Sequence, residues 1–182
     1  MLFRSWGGAT ALRVAVAAPE VVDSLAVVEP EAYALLRTED PRAYAEISDL
    51  RDRWRAHVRA GRWHEAFEEF VDFYNGPGSF GRWPPSRREA FLADQRSRGD
   101  LWHVLFDDDL LTLDALGRVT APVDVVEGSL TSPVDHAICD IVRRHAPHSR
   151  HTLIEGAGHM MPLTHPESLT RALLAGLYPS TL

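Results

Sequence analysis

Three features predict an α/β chain, with a mostly parallel sheet of about four strands and a helical insertion. A short apolar strand, Met1–Arg4, runs into Ser5-Trp6-Gly7-Gly8 and at once into a helix of small residues. A second short strand, late in the chain, runs into Gly156-Ala157-Gly158-His159. Elsewhere, short continuously apolar runs alternate with stretches of helical spacing, the order expected of a parallel sheet buried on both faces.

The elements follow in order. Gly8 to Pro19 reads as a helix of Ala9, Ala11, Leu12, Ala15 and Val16, small enough to pack closely on a sheet and ended by Pro19. Ser24–Glu29 reads as a buried strand stopped by Pro30. These first 30 residues form one unit, a strand–turn–helix and the strand after it. Residues 31–100 change character to Arg, Glu and aromatics and are assigned to a helical insertion. Helical spacing appears in Tyr33–Arg37, Pro41–Arg59 and Trp63–Tyr74, and Trp63, Phe67, Phe70, Val71 and Tyr74 form one amphipathic face. Ser86, after Trp83-Pro84-Pro85, reads as the N-cap of a further helix. Residues 101–182 return to the α/β rhythm. A short amphipathic segment covers Leu110–Leu116, a strand ends at Gly128, and a helix covers Val134–His145. A strand then covers Arg150–Glu155, and a last helix covers Pro166–Leu177 with Glu167 in its first turn.

A chain of 182 residues with 45% hydrophobic residues can build one domain around a core. The net charge of −7, with the arginines scattered and no lysine, argues against nucleic-acid binding. A lone Cys139 excludes an internal disulfide, and its periodic apolar surroundings make it a buried helix position. No apolar run approaches a membrane span and no leader pattern opens the chain, so a soluble, cytoplasmic protein is expected.

Two residues carry the chemistry. Ser5 sits where a strand turns sharply into a helix, which suits either an attacking hydroxyl or a helix N-cap. The glycines before His159 let its loop turn, and a neutral imidazole there can serve as the base that a serine needs. Glu29 ends a buried strand, where a carboxylate requires a partner. His165 is assigned to setting up the last helix. His145, His148 and His151 cluster around a loop with no acid or cysteine to complete a metal site, and read as solvated.

With Ser-x-Gly-Gly and the Gly-His segment in place, the chain resembles the α/β-hydrolase family over nearly its whole length. It resembles that family's C-terminal half, from the nucleophile elbow onward. The family's G-x-S-x-G falls on Phe3, Arg4, Ser5, Trp6 and Gly7, departing at the first position, where Phe3 would crowd the turn. The resemblance implies Ser5 as nucleophile, His159 as base and the Trp6 N–H as one oxyanion donor. Its second donor lies in a loop after an early strand, which this sequence does not contain. The usual position of the acid falls on Thr131, which cannot serve, leaving Asp135 further on and Glu29 at the family's alternative site. Glu29 is preferred.

The expectation is a serine hydrolase acting by acyl transfer on an ester or similar small apolar substrate, with a cap of aromatics and an N-terminal half lacking. The rival expectation is an inactive remnant or split-enzyme half whose open sheet edge self-associates or binds a complementing chain. Ser5 argues against dehalogenase chemistry, which uses an aspartate there, and a lyase rests on fold analogy alone. Nothing in the sequence calls for a metal or organic cofactor, and neither nucleic acid nor membrane is expected as a partner.

Overall fold

The computed structural model describes residues 2–177. Four parallel strands form one sheet in the order β1 (Leu2–Arg4), β2 (Leu25–Pro30), β3 (Val123–Gly128), β4 (Ser149–Ile154). The register sets Val27 against Phe3 and Val125, and Gly128 against Ile154. Spatial order equals chain order, so each crossover returns to the adjacent strand.

Alternation of side chains divides the core between the two faces of the sheet. Leu25, Val27, Val123 and Val125 point into the larger cluster, and Val28 and Val126 into a smaller one with Ile154, Ala157, Met161 and Leu169. All six residues of β2 and of β3 are buried, as continuous apolar runs predict.

Helix α1 (Ser5–Ala17) lies on β1 and β2 through Gly8, Ala9, Ala11, Leu12 and Ala15. It starts at Ser5 rather than Gly8. Its N-cap is Arg4, which makes no side-chain cap bond, so the N-cap reading of Ser5 fails. Between β2 and β3 run α2 (Leu36–Glu39), α3 (Pro41–Arg59), α4 (Trp63–Asn75), α5 (Pro85–Arg98), α6 (Trp102–Phe106) and α7 (Leu113–Leu116). Asp40 caps α3 by accepting from the Ala43 N–H at 3.0 Å, ahead of Pro41 at the first helical position. Ile47, Leu50 and Trp54 of α3 pack against α4, which buries Phe67, Val71 and Tyr74.

Ser86 is not an N-cap. Two prolines pre-empt it: Pro84 is the extended cap residue and Pro85 already opens α5. The segment expected over Leu110–Leu116 is helical only from Leu113, where Thr112 accepts from the Ala115 N–H at 3.2 Å. Helix α8 (Pro133–His145) combines a Ser132 cap, Pro133 and a basic last turn of Arg143, Arg144 and His145. It buries Val134, Ile138, Ile141 and Val142 at helical spacing. Cys139 is buried there as a free thiol. Burial, then the charge of Glu127, holds that thiol well above its usual range, so it stays protonated and inert.

Of the histidines expected to be solvated, His148 is exposed, while His145 and His151 have acidic partners. His145 Nε2 lies 3.3 Å from Glu39. His151 Nε2 lies 2.6 Å from Glu127, a buried carboxylate whose other oxygen meets His136 Nδ1 at 2.9 Å. These partners are far away in sequence, and the fold brings them close.

Helices α9 (Met161–Thr164) and α10 (Pro166–Leu177) cover the smaller core, with Glu167 in the first turn of α10. Among the described residues no helix is long and apolar enough to cross a membrane.

One close approach fixes the C-terminal loop to the sheet. A Cβ on Gly128 would lie 2.2 Å from the Ala157 carbonyl oxygen, which accepts from the Leu130 N–H at 2.8 Å. That oxygen is backbone and cannot move without the loop that carries His159. Gly128→Ala is expected to destabilise the fold by roughly 3 kcal/mol, read from urea unfolding. A change below about 1 kcal/mol would show that this approach is not a constraint.

Candidate active site

The site forms at the C-terminal ends of β1, β2 and β3, where parallel strands leave a crevice. Ser5 follows β1 directly and adopts φ 54, a left-handed conformation rare outside glycine. Such strain costs about 1–3 kcal/mol and persists only where the surroundings enforce it. Here Ser5 bridges to Pro30 beyond the regular ladder, and its carbonyl accepts from the Glu31 N–H at 3.1 Å. Phe3 does not crowd the turn: a Cβ on Gly7 would meet it at 3.6 Å, an ordinary contact. The tight place is Gly8, where a Cβ would lie 3.0 Å from Pro30. Removing that Cβ lets α1 sit against the end of β2.

Glu29, at the end of β2, also has positive φ, 43. Its carboxylate is fully buried and doubly held. Oε1 accepts from the Gly128 N–H at 2.9 Å, and Oε2 lies 2.7 Å from His159 Nδ1. His159 Nε2 in turn lies 3.2 Å from Ser5 Oγ. Ser5, His159 and Glu29, which are 154 and 130 residues apart along the chain from His159, thus form one connected series.

Asp135 stands beside this series rather than in it. Its Oδ2 is 3.7 Å from His159 Nδ1 and accepts from Thr131 Oγ1 at 3.2 Å and Ser132 Oγ at 3.0 Å. Its Oδ1 is buried without a partner. Burial first, and then the nearby charges of Glu29 and Glu31, push its pKa up to about 7 against the pull of His159. Thr131, at the usual acid position, holds Asp135 by its hydroxyl.

For His159, burial favours the neutral ring, but the bond to Glu29 and the charges of Asp135, Glu29 and Glu31 outweigh it. The net pKa lies above the ordinary 6.5. The ring of Tyr74 packs on the imidazole with centroids 5.0 Å apart. The Tyr74 hydroxyl meets that of Tyr33 in a short buried bond, and burial raises both phenols well above 10.

Glu31 was not among the residues singled out from sequence. It is buried, and Ser5 Oγ donates to its Oε1 at 2.6 Å, closer than to His159. The serine proton therefore has two possible acceptors, His159 and Glu31. An available signal was the alternation Glu29-Pro30-Glu31, which repeats an acid two residues past the strand end.

Ser5, His159 and Glu31 open on a cavity of about 350 Å³, walled by Trp6, Phe70, Tyr74 and Trp83, with Arg4 and Arg87. Phe80 is fully buried and does not line it. Trp6 lies in the first turn of α1, where backbone N–H groups have no partner within the helix. Arg4 Nε is buried without a partner.

Glu29, Asp135 and His159 are also, among the described residues, a group whose ligand atoms converge within 4.8 Å. The 2.7 Å contact of His159 with Glu29 is a direct hydrogen bond, which a cation between them would replace.

The sequence matches the α/β hydrolase family over residues 5–172, and the chain belongs to that family. No curated protein matches it significantly. Among solved structures it is similar to a hydrolase from Pseudomonas aeruginosa, at 19% identity and TM-score 0.70, over 97% of this chain and 63% of that one. It is also similar to a proline iminopeptidase of Mycobacterium smegmatis, at 24% identity and TM-score 0.61, over 97% of this chain and 63% of that one. A third is Rv0554 from Mycobacterium tuberculosis, at 19% identity and TM-score 0.61, over 100% of this chain and 65% of that one. The chain spans 63–65% of the length of these proteins. At such identities the likeness shows the shared fold.

The raised pKa of Asp135 has a consequence for stability. Between its ordinary 3.8 and about 7, the folded protein holds a proton that the unfolded chain releases. This contribution is full below 3.8 and is lost as pH rises toward 7. Asp135→Asn removes that titration. Its stability relative to wild type should therefore improve from pH 4 to pH 8 by a few kcal/mol, on the order of a 3-unit shift. Parallel pH curves for the two proteins would contradict this.

Proposed function

We propose that the chain carries the catalytic series of a serine hydrolase acting by acyl transfer on small, largely apolar esters. The observation that carries this reading is the connection of Ser5 Oγ to His159 Nε2 and of His159 Nδ1 to the buried Glu29.

Ser5 Oγ attacks the carbonyl carbon as its proton passes to His159 Nε2, and the imidazolium is held by Glu29. The Trp6 N–H faces the developing oxyanion, the role of the residue after the nucleophile in this fold. Collapse of the tetrahedral intermediate breaks the bond to the leaving alkoxide, which takes the proton from His159. Water then attacks the acyl-Ser5 ester, its proton passing through His159, and releases the carboxylic acid. Glu29 orients the ring, and Asp135, further from Nδ1 and carrying a proton up to about pH 7, supports the same face. The resemblance implies a second oxyanion donor from a loop after an early strand, and removing one such donor costs about 10²–10³ in rate.

A second reading is a non-catalytic chain that binds a complementing polypeptide. It draws on β1, which among the described residues pairs with β2 alone.

Hydrolysis of p-nitrophenyl butyrate separates the two. The first reading expects turnover reduced by at least about 10³ in Ser5→Ala. Equal rates in wild type and variant favour the second. A pH profile gives an independent check, because the base must be neutral. The rate should fall as pH drops through an inflection above 6.5, and Glu29→Gln, which removes a cause of the raised pKa, should move that inflection down. An inflection unmoved in Glu29→Gln would exclude the Glu29–His159 pair.

A further inference from the structure

A second, smaller chamber of about 90 Å³ shares Glu31, Trp6, Phe70 and Gln95 as walls with the Ser5 cavity. That space holds a group of several heavy atoms. Aromatic rings, among them Trp6, Tyr33, Trp54, Phe70 and Trp102, make up about half of its lining beside Leu101, Leu105 and Gln95, and Glu31 is the charged residue lining it. The basic residues of the region, Arg4 and Arg87, line the outer cavity only.

Among the described residues no salt bridge reaches Glu31, although it is 6% exposed. Its Oε1 takes the Ser5 hydroxyl, which leaves Oε2 for another partner. A buried carboxylate without a cation is costly, and a ring of aromatic faces is itself attractive to a cation. Both features ask for the same occupant.

We infer that this chamber binds a small ammonium group, and that the ester hydrolysed at Ser5 carries one. The ammonium rests against Glu31 Oε2 and the indole and phenyl faces, with its ester carbonyl a few bonds away at Ser5. The inference rests on the serine-hydrolase reading for the ester, and on the chamber alone for the ammonium. It also gives Glu31 a part in activation. The carboxylate holds the serine proton at 2.6 Å, against 3.2 Å to His159. An ammonium bound to Glu31 offsets its charge, weakens that hold and leaves the proton to His159.

Binding of choline and of its uncharged isostere 3,3-dimethylbutan-1-ol tests this, read by tryptophan fluorescence, since Trp6, Trp54 and Trp102 line the chamber. The pair differs in charge and hardly in shape. The expected result is choline binding at least about tenfold tighter than the alcohol in wild type. In Glu31→Gln that preference is lost while the alcohol binds as before. Equal affinity for the two probes in wild type, or no response to choline, overturns the inference, and neither outcome depends on a variant that folds. Binding is read without turnover, so the choline preference in a protein that shows no Ser5-dependent hydrolysis supports the ammonium site and counts against the hydrolase reading alone.

Discussion

The bond between His159 and Glu29 is the contact on which the site depends. Glu29 is fully buried at the end of β2, where an unpartnered carboxylate would cost several kcal/mol. It is tolerated because the Gly128 N–H and His159 Nδ1 both reach it. Each of those partners is set by the fold. The parallel register brings the end of β3 beside the end of β2, and the absence of a side chain at Gly128 admits the Ala157 backbone and with it the His159 loop. The imidazole is then aimed at Ser5 from the opposite end of the chain.

The charge pattern around that bond is unusual for a buried region. Glu29, Glu31 and Asp135 surround a single imidazole. The site relieves the excess by keeping a proton on Asp135 up to about pH 7 and by raising the basicity of His159. Glu31 takes a hydroxyl from Ser5 and faces aromatic rings. The asymmetry separates the three acids. Glu29 bonds the imidazole, Asp135 stands further from it, and Glu31 lines the cavity.

Much of this was legible in the sequence. The buried strands, the small-residue helix after Ser5 and the glycines before His159 are local signals, and they marked three members of the site. The choice of Glu29 over Asp135 rested on the family's alternative acid site together with a carboxylate ending an apolar strand, and the distances of 2.7 Å and 3.7 Å to His159 rank them in the same order. What was not legible depends on contacts between distant segments. Glu31 matters because Pro30 and Ser5 are bridged, which no local pattern reports. His145 and His151 looked solvated because Glu39 and Glu127 are remote in sequence. Ser86 failed for a local reason, since two prolines had already started the helix.

The most direct test of the central claim needs no substrate. A fluorophosphonate reacts only with a serine that has been activated by its neighbours, and the peptide from Ser5 to Arg13 released by trypsin would carry the label. The account predicts one adduct on Ser5, formed at least about tenfold more slowly in Glu29→Gln, because the imidazole loses the partner that orients it. No adduct on Ser5, or a rate indifferent to Glu29, would contradict the series of Ser5, His159 and Glu29 as a working site.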